Sequence, residues 1–307
     1  MTRIYDLVMT HQLDADDFFI QRVQFHAAER RLNFFLIEPL WVEAFMQNMV
    51  LGRTWARVLL NMHSEHHDPE NVFSRLVRLS AEKRSRVIDD PAVASAAFDK
   101  AALHPKLIHA GIHVPPTVIL SRENAAGFKL NDADREMIGL PFVIKPSMGY
   151  GRRGLVLDAA SEADLARSTT AFINTHYLLQ KKIVPRQWDG APAYFRVFFA
   201  FGEVWCCWWN CFTDQFRRVS QADTEKFGLE PLDRIVRTIA SLTGMNFFSS
   251  EIAVPESGEF VVIDYVNDQC HLLTQTSDPV KGVPDEVVAG IARRLVEAAH
   301  QMIREGK

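Results

Sequence analysis

The segment Gly149-Tyr150-Gly151-Arg152-Arg153-Gly154 spells G-x-G-x-x-G, which in isolation suggests a dinucleotide fold. The residues after it narrow the choice. A dinucleotide fingerprint must open a helix, whereas Leu155-Val156-Leu157 is β-rich and runs into the turn-like Asp158-Ala159-Ala160. The loop therefore joins two strands as a hairpin flap. Glycines in such a flap let backbone N–H groups approach polyphosphate oxygens closely, because no Cβ intervenes. Lys145 ends the incoming strand Phe142-Val143-Ile144-Lys145-Pro146, where an ammonium on a long stem can reach phosphates beneath the flap. Protein kinases also use a glycine flap, but the chain contains no H-R-D or D-F-G sequence. Taken alone, the segment is equally a surface hairpin beside a solvated lysine.

The 307 residues are too many for one small domain and suit two or three lobes. With 48% hydrophobic and 23% charged residues, disorder does not dominate the chain. A net charge of −4 disfavours a general polyanion binder, so neither nucleic acid nor a membrane surface is an expected partner. The N-terminus lacks the apolar stretch of a signal peptide and no later run approaches a membrane span, so a cytoplasmic location is expected. Of the four cysteines, Cys206, Cys207 and Cys211 crowd into one strand-like segment. Neighbours on a strand face opposite sides, so these and Cys270 read as buried free thiols in preference to a metal site.

The first ninety residues alternate strands and amphipathic helices as in an open α/β sheet. Strands are expected at Ile4–Met9, Asn33–Ile37 and Arg57–Met62. The helix between the first two carries Phe18, Phe19, Val23 and Phe25 on its apolar side, with Asp14 or Asp16 as its cap. Further helices follow Pro39 and Asp68-Pro69. The polar cluster His63-Ser64-Glu65-His66-His67-Asp68 holds zinc-ligand types, yet solvated histidines in a loop at a strand's C-terminal end are the expected outcome. From Asp90-Pro91 two helical stretches lead to Gly111 and an extended Val114–Leu120. Beyond them, strands at Phe142–Lys145, Leu155–Asp158, Tyr177–Lys181, Tyr194–Phe201, Val204–Trp209, Phe247–Val254 and Phe260–Val266 are mostly hairpin-connected, which implies antiparallel sheet. Helices are expected at Glu162–Phe172, Pro231–Thr243 and from Asp285.

Five stretches between about Asp99 and Gln269 resemble, in order, the ATP-grasp superfamily and its carboxylate-amine ligase branch: ribosomal-protein glutamate ligases, glutathione synthetases and D-alanine–D-alanine ligases. Asp99-Lys100 opens a helix that ends in Ala110-Gly111-Ile112-His113-Val114-Pro115, similar to the family's D-K, A-G-I and P. Lys145 and the flap from Ser147 to Gly154 resemble its second lysine and phosphate loop. Leu178-Leu179-Gln180-Lys181-Lys182-Ile183 resembles the strand and hinge that hold adenine. Phe195-Arg196-Val197 with Gly202-Glu203-Val204 resembles a strand pair led by an arginine. Glu251 on one strand, with Asp264 and Asn267 on the next, resembles the magnesium ligands.

The resemblance implies an ATP-grasp fold of mixed α/β and α+β class, an N-terminal open α/β lobe (residues 1–90) followed by two α+β lobes (91–184 and 185–307) clamping ATP. It implies ATP and Mg²⁺ as cofactors. Nucleotide contacts fall to Lys100, Lys145, Ser147, Gly149, Gly151, Gly154, Gln180, Lys182 and Ile183, and metal contacts to Glu251, Asp264 and Asn267. Arg196, Arg217 and Arg218 would stabilise the transition state. Two residues separate Asp264 from Asn267 where the family has one, so either a bulge restores the third ligand or Asp268 supplies it. The implied activity is amide formation between a small-molecule or peptide carboxylate and an amine through an acyl phosphate. Addition of amino acids to a protein or peptide, and nucleotide binding without catalysis, are the alternatives. Family members are often dimers or tetramers.

Overall fold

The computed structural model describes residues 2–11, 17–63 and 68–306. Asp14 and Asp16, expected as a helix cap, and Ser64–His67 of the histidine cluster lie outside the described residues. By internal contacts the chain divides into two compact units, one of Met1–Ser95, Phe195–Ser249 and Asn267–Lys307, the other of Ala96–Tyr194 and Ser250–Val266.

In the first unit, β1 (Arg3–Thr10), α1 (Asp17–Glu29), β2 (Phe34–Ile37), α2 (Val42–Val50), β3 (Thr54–Leu60), α3 (Val72–Glu82) and β4 (Arg86–Ile88) build a parallel sheet of order β2-β1-β3-β4. Strands covered on both faces must be apolar on both. On β1, Leu7 and Met9 join a core with α1 and with the C-terminal helix, while Val8 joins one with α2 and α3. α1 buries Phe19, Ile20, Val23 and Ala27, leaving Phe25 51% exposed. That corrects the expected apolar side, for Phe25 lies two positions, about 200°, from Val23. His63 comes after β3 and is buried, its ring stacked on Phe73 at 3.8 Å between centroids. Burial pushes the imidazole down to about 4, so the solvated reading fails at this residue.

After α4 (Pro91–Phe98), the second unit contains α5 (Lys100–His109), β5 (Thr117–Ser121), α6 (Asp132–Ile138), β6 (Phe142–Pro146), β7 (Val156–Ala159), α7 (Leu165–Ala171), β8 (His176–Lys181), β9 (Gln187–Trp188) and β10 (Ala191–Pro192). β5, β8, β6 and β7 pair in that order, all antiparallel, over a core that includes Leu120, Ile138, Phe142, Ile144 and Tyr177. The expected run of extended residues from Val114 becomes strand only at Thr117, because Pro115 and Pro116 lack ladder donors.

The remaining elements are β11 (Tyr194–Ala200), β12 (Glu203–Trp209), β13 (Phe216–Arg218), α8 (Gln221–Phe227), α9 (Glu230–Thr243), β14 (Phe247–Ala253), β15 (Val261–Asn267) and α10 (Asp285–Glu305). The five strands are ordered β13-β12-β11-β14-β15, and the division between units falls within β11, within β14 and within β15. α10 packs on α1 and buries Val287, Val288, Ile291, Leu295 and Val296 in the first unit's core. Cys207 and Cys270 are buried, Cys206 and Cys211 half-buried, and none of the four is in a disulfide; burial pushes the Cys270 thiol up to about 12, which makes it inert at neutral pH.

Candidate active site

The glycine segment is a hairpin flap between β6 and β7. Tyr150 O accepts from Arg153 N at 3.0 Å, with Gly151 (φ +56°) and Arg152 (φ +61°) at the two central positions. Positive φ at both is the signature of the hairpin turn that matches strand twist, which asks for glycine. Gly154 serves a second purpose. At φ +70°, a Cβ there would lie 2.8 Å from both Phe172 Cβ and Pro146 Cγ. Gly154→Ala is therefore expected to cost about 2–3 kcal/mol, read as a lowered denaturation midpoint, through strain and overpacking combined.

Lys100 is the first residue of α5, whose cap is Asp99 accepting from Ala101 N and Ala102 N. Ser147 ties this helix start to the flap: its Oγ donates to the Asp99 carboxylate and accepts from Ala101 N at 2.9 Å, and its carbonyl accepts from Lys100 N. The serine is fully buried, so its hydroxyl is engaged in holding the flap to the helix. The result is a lysine stem aimed beneath the hairpin. Lys100 Nζ donates to Gly149 O at 3.1 Å, lies 3.4 Å from Asp264 Oδ1, and sits 4.8 Å from the centroid of Phe98.

Lys145 points the same way from β6. Its Nζ donates to Ile263 O at 2.7 Å and lies 5.6 Å from the Tyr265 ring centroid. Burial pushes its pKa down to about 8; Asp264 and Glu251 pull it back up while Lys100 opposes them. Two lysines and two carboxylates thus lie within electrostatic reach of one another in the second unit. Glu251 accepts from Tyr194 Oη at 2.9 Å. Asp264 Oδ1 is shielded from solvent and accepts no hydrogen bond, so apart from Lys100 its lone pairs are open to a cation. A hard oxygen donor of this kind fits Mg²⁺. Among the described residues, no group of three or more histidines, cysteines and acids is close enough to hold a metal alone.

Along β8, Gln180 is buried and its Nε2 donates to Thr117 Oγ1 and Tyr265 Oη, each at 2.9 Å. Lys182 pairs with Asp158 and Ile183 is half-buried. The other expected residues lie in the first unit. Arg196 Nε donates to Ser249 Oγ at 3.1 Å and its guanidinium stands 5.4 Å from the Trp209 centroid. Arg217 makes a forked pair with Asp223, at 2.8 and 3.3 Å, and Arg218 lies 3.9 Å from Glu286. Asn267 Nδ2 donates to Ser249 O at 3.4 Å, leaving Oδ1 as the amide's remaining acceptor. His104 and Tyr265, in the midst of the lysine cluster, were not singled out by the sequence. Neither belongs to a motif, and 161 positions separate them.

Comparison with solved structures decides the fold. D-Alanine–D-alanine ligase from Bacillus anthracis, complexed with ATP, superposes with a TM-score of 0.65 over 99% of both chains at 14% identity. The ATP-grasp ligase PsnB, solved with a precursor peptide and AMPPNP, gives 0.62 over 99% of both chains at 14% identity. The fold is ATP-grasp. A RimK-domain ATP-grasp protein from Sphaerobacter thermophilus agrees, at 0.61 and 18% identity over 95% of this chain and 98% of that one. No protein-family model matches the sequence, and no curated protein matches it. The ATP-grasp fold thus persists here at 14–18% identity to the solved structures compared. Among the described residues, no helix is long and apolar enough to cross a membrane.

Proposed function

We propose that the protein is an ATP- and Mg²⁺-dependent ligase that joins a carboxylate to an amine through an acyl phosphate. The observation that carries the reading is the cluster of Lys100, Lys145, Asp264 and Glu251 beneath the glycine hairpin. Burial disfavours the charge on the Lys145 ammonium, and its pKa stays depressed although Asp264 and Glu251 raise it. A polyphosphate supplies the missing negative charge. Its oxygens would replace Gly149 O as the partner of Lys100, and flap N–H groups would add donors. The likeness to ATP-grasp ligases, one solved with ATP and another with AMPPNP, supports the same class.

Asp264 and Glu251 would hold magnesium with phosphate oxygens, and Asn267 is assigned as the third protein ligand by family resemblance. When bound, the ion supplies positive charge at the polyphosphate oxygens. Lys100 and Lys145 keep the γ-phosphoryl group in place while a substrate carboxylate oxygen attacks phosphorus, the β–γ P–O bond breaks and ADP leaves. An amine then attacks the acyl carbon; the C–N bond forms, the C–O bond to phosphate breaks, and the amine proton passes to solvent. Arg196, Arg217 and Arg218 are assigned to the tetrahedral oxyanion on the resemblance alone. The pocket selecting acid and amine would belong to the N-terminal lobe, residues 1–90 in the three-lobe division that the resemblance suggests. PsnB is solved with a precursor peptide, which keeps peptide carboxylates in the substrate class beside free amino acids.

Hydroxylamine tests the intermediate directly, since it replaces the natural amine and traps an acyl phosphate as a hydroxamate. Incubation with ATP, Mg²⁺, hydroxylamine and a panel of amino acids and dipeptides is expected to give hydroxamate and ADP in equal amounts with at least one acid. ADP formation with no hydroxamate from any acid would point to phosphate transfer to water and overturn the acyl-phosphate step.

A further inference from the structure

Tyr265 occupies a core position of β15 and is fully buried. A phenylalanine would fill that space without a hydroxyl to satisfy, and a buried hydroxyl is costly unless bonded. Here the hydroxyl is bonded twice, to Gln180 Nε2 at 2.9 Å and to His104 Nδ1 at 2.5 Å. The proton directions are set by the donor inventory. The Gln180 amide has two N–H groups; one goes to Thr117 Oγ1, which in turn donates to Pro115 O, and the other goes to Tyr265. Tyr265 must therefore donate to His104, whose Nδ1 accepts as the neutral Nε2–H tautomer. Burial, with Lys145 adding to it, holds His104 down near 4 and keeps it neutral. Tyr265 is anchored at its backbone too, where its carbonyl accepts from Ser250 Oγ at 2.6 Å.

The anchored ring lies beside the lysine cluster. Lys145 Nζ rests 5.6 Å from the ring centroid and donates to the carbonyl of Ile263, two residues back along the same strand. The strand between these contacts carries Asp264, which pairs with Lys100. We infer that Tyr265 is a positioning residue: clamped by His104 and Gln180, it fixes the Lys145 ammonium against β15 and sets the segment that presents Asp264. The ring face attracts the ammonium, the two hydroxyl bonds stop the ring from tilting, and Ile263 O completes the hold. What Lys145 does for the reaction rests on the ligase reading; how Lys145 is held does not.

Competitive acylation of lysines in the nucleotide-free protein, read by mass spectrometry, tests this without a substrate. Labelling at Lys145 is compared with Lys129, whose side chain is 78% exposed. In Tyr265→Phe the ring remains but its clamp is gone, and Lys145 labelling relative to Lys129 is expected to rise about fivefold. Ile138→Val, a core substitution in the same unit, provides a control for general loosening of the core and is expected to leave the ratio unchanged. Should Tyr265→Phe not fold, Gln180→Leu removes one of the two clamps and is expected to raise the ratio about twofold. An unchanged ratio in the clamp variant, or an equal rise in Ile138→Val, would show that Tyr265 only fills the core and would overturn the inference. Titrating the wild type with AMPPNP in parallel keeps the two ideas apart: a protein that binds no nucleotide removes the ligase reading, while the labelling ratio still decides the positioning role.

Discussion

Lys145→Ala is expected to lower kcat/KM for ATP-dependent product formation by about 10³, the scale on which a preorganised charge acts on a transferring phosphoryl group in a site shielded from water. The unfolding temperature is expected not to fall, since the substitution removes a charge that burial disfavours. Linkage gives the sign of the pH effect. Burial sets the folded pKa of Lys145 at about 8, below its ordinary 10.5, so between these values the unfolded chain holds the proton more tightly. Wild-type stability therefore carries a contribution that rises as pH climbs from about 8 toward 10.5 and that is absent below 8. Denaturant melts of both proteins across that range check it: the variant lacks the gain. Wild-type kcat/KM in Lys145→Ala would remove the phosphate role of this lysine.

Asp264→Asn preserves size and strand geometry while removing the charge that faces Lys100. Turnover is expected to fall by about 10²–10³, and the Mg²⁺ concentration at half-maximal rate to rise by about tenfold or more, because an amide oxygen is a weaker hard ligand than a carboxylate. Titrating Mg²⁺ at fixed ATP measures both. Loss of rate with an unchanged Mg²⁺ midpoint would assign Asp264 to pairing with Lys100 and remove it from the metal set.

Local pattern reached far into this chain because its two periodicities are clean. Val-Ile-Lys-Pro before a glycine segment, with Leu-Val-Leu after it, marks a hairpin and excludes a dinucleotide crossover, and β6 and β7 pair that way. The strands and long helices lie where apolar alternation and helical spacing put them. Four short elements escaped, β4, β13, α6 and α8, whose few residues alternate or repeat too weakly to stand out from loop. α8 did leave a signal, since Ser220 and Asp223 form a capping box whose spacing is written in the sequence. Phe25 is apolar by type, but its angular position on α1 turns it away from the buried Phe19, Ile20, Val23 and Ala27.

The site divides along the same line. Lys100 and Lys145 stand in recognisable motifs, whereas the contacts they make, Lys100 with Asp264 and Lys145 with the Ile263 carbonyl, are displayed only by the structure. The partners of that cluster are long-range. Nothing near Tyr265 in the sequence announces that its hydroxyl meets His104 and Gln180, and nothing near Ser147 announces that its hydroxyl serves the cap of α5. The packing of α10 on α1 is another such pairing, joining the chain's last helix to its first. Side-chain and helix pairings made across more than forty residues carry no period and no spacing, so only the folded chain displays them.

Nucleotide binding at the lysine cluster is measured by calorimetric titration of the purified protein with AMPPNP, with and without Mg²⁺, on the wild type and Lys145→Ala. Mg²⁺-dependent binding at one site per chain is expected in the wild type, with affinity at least tenfold weaker in Lys145→Ala. Absence of binding at millimolar nucleotide, or equal affinity in the two proteins, would contradict the nucleotide role of that cluster.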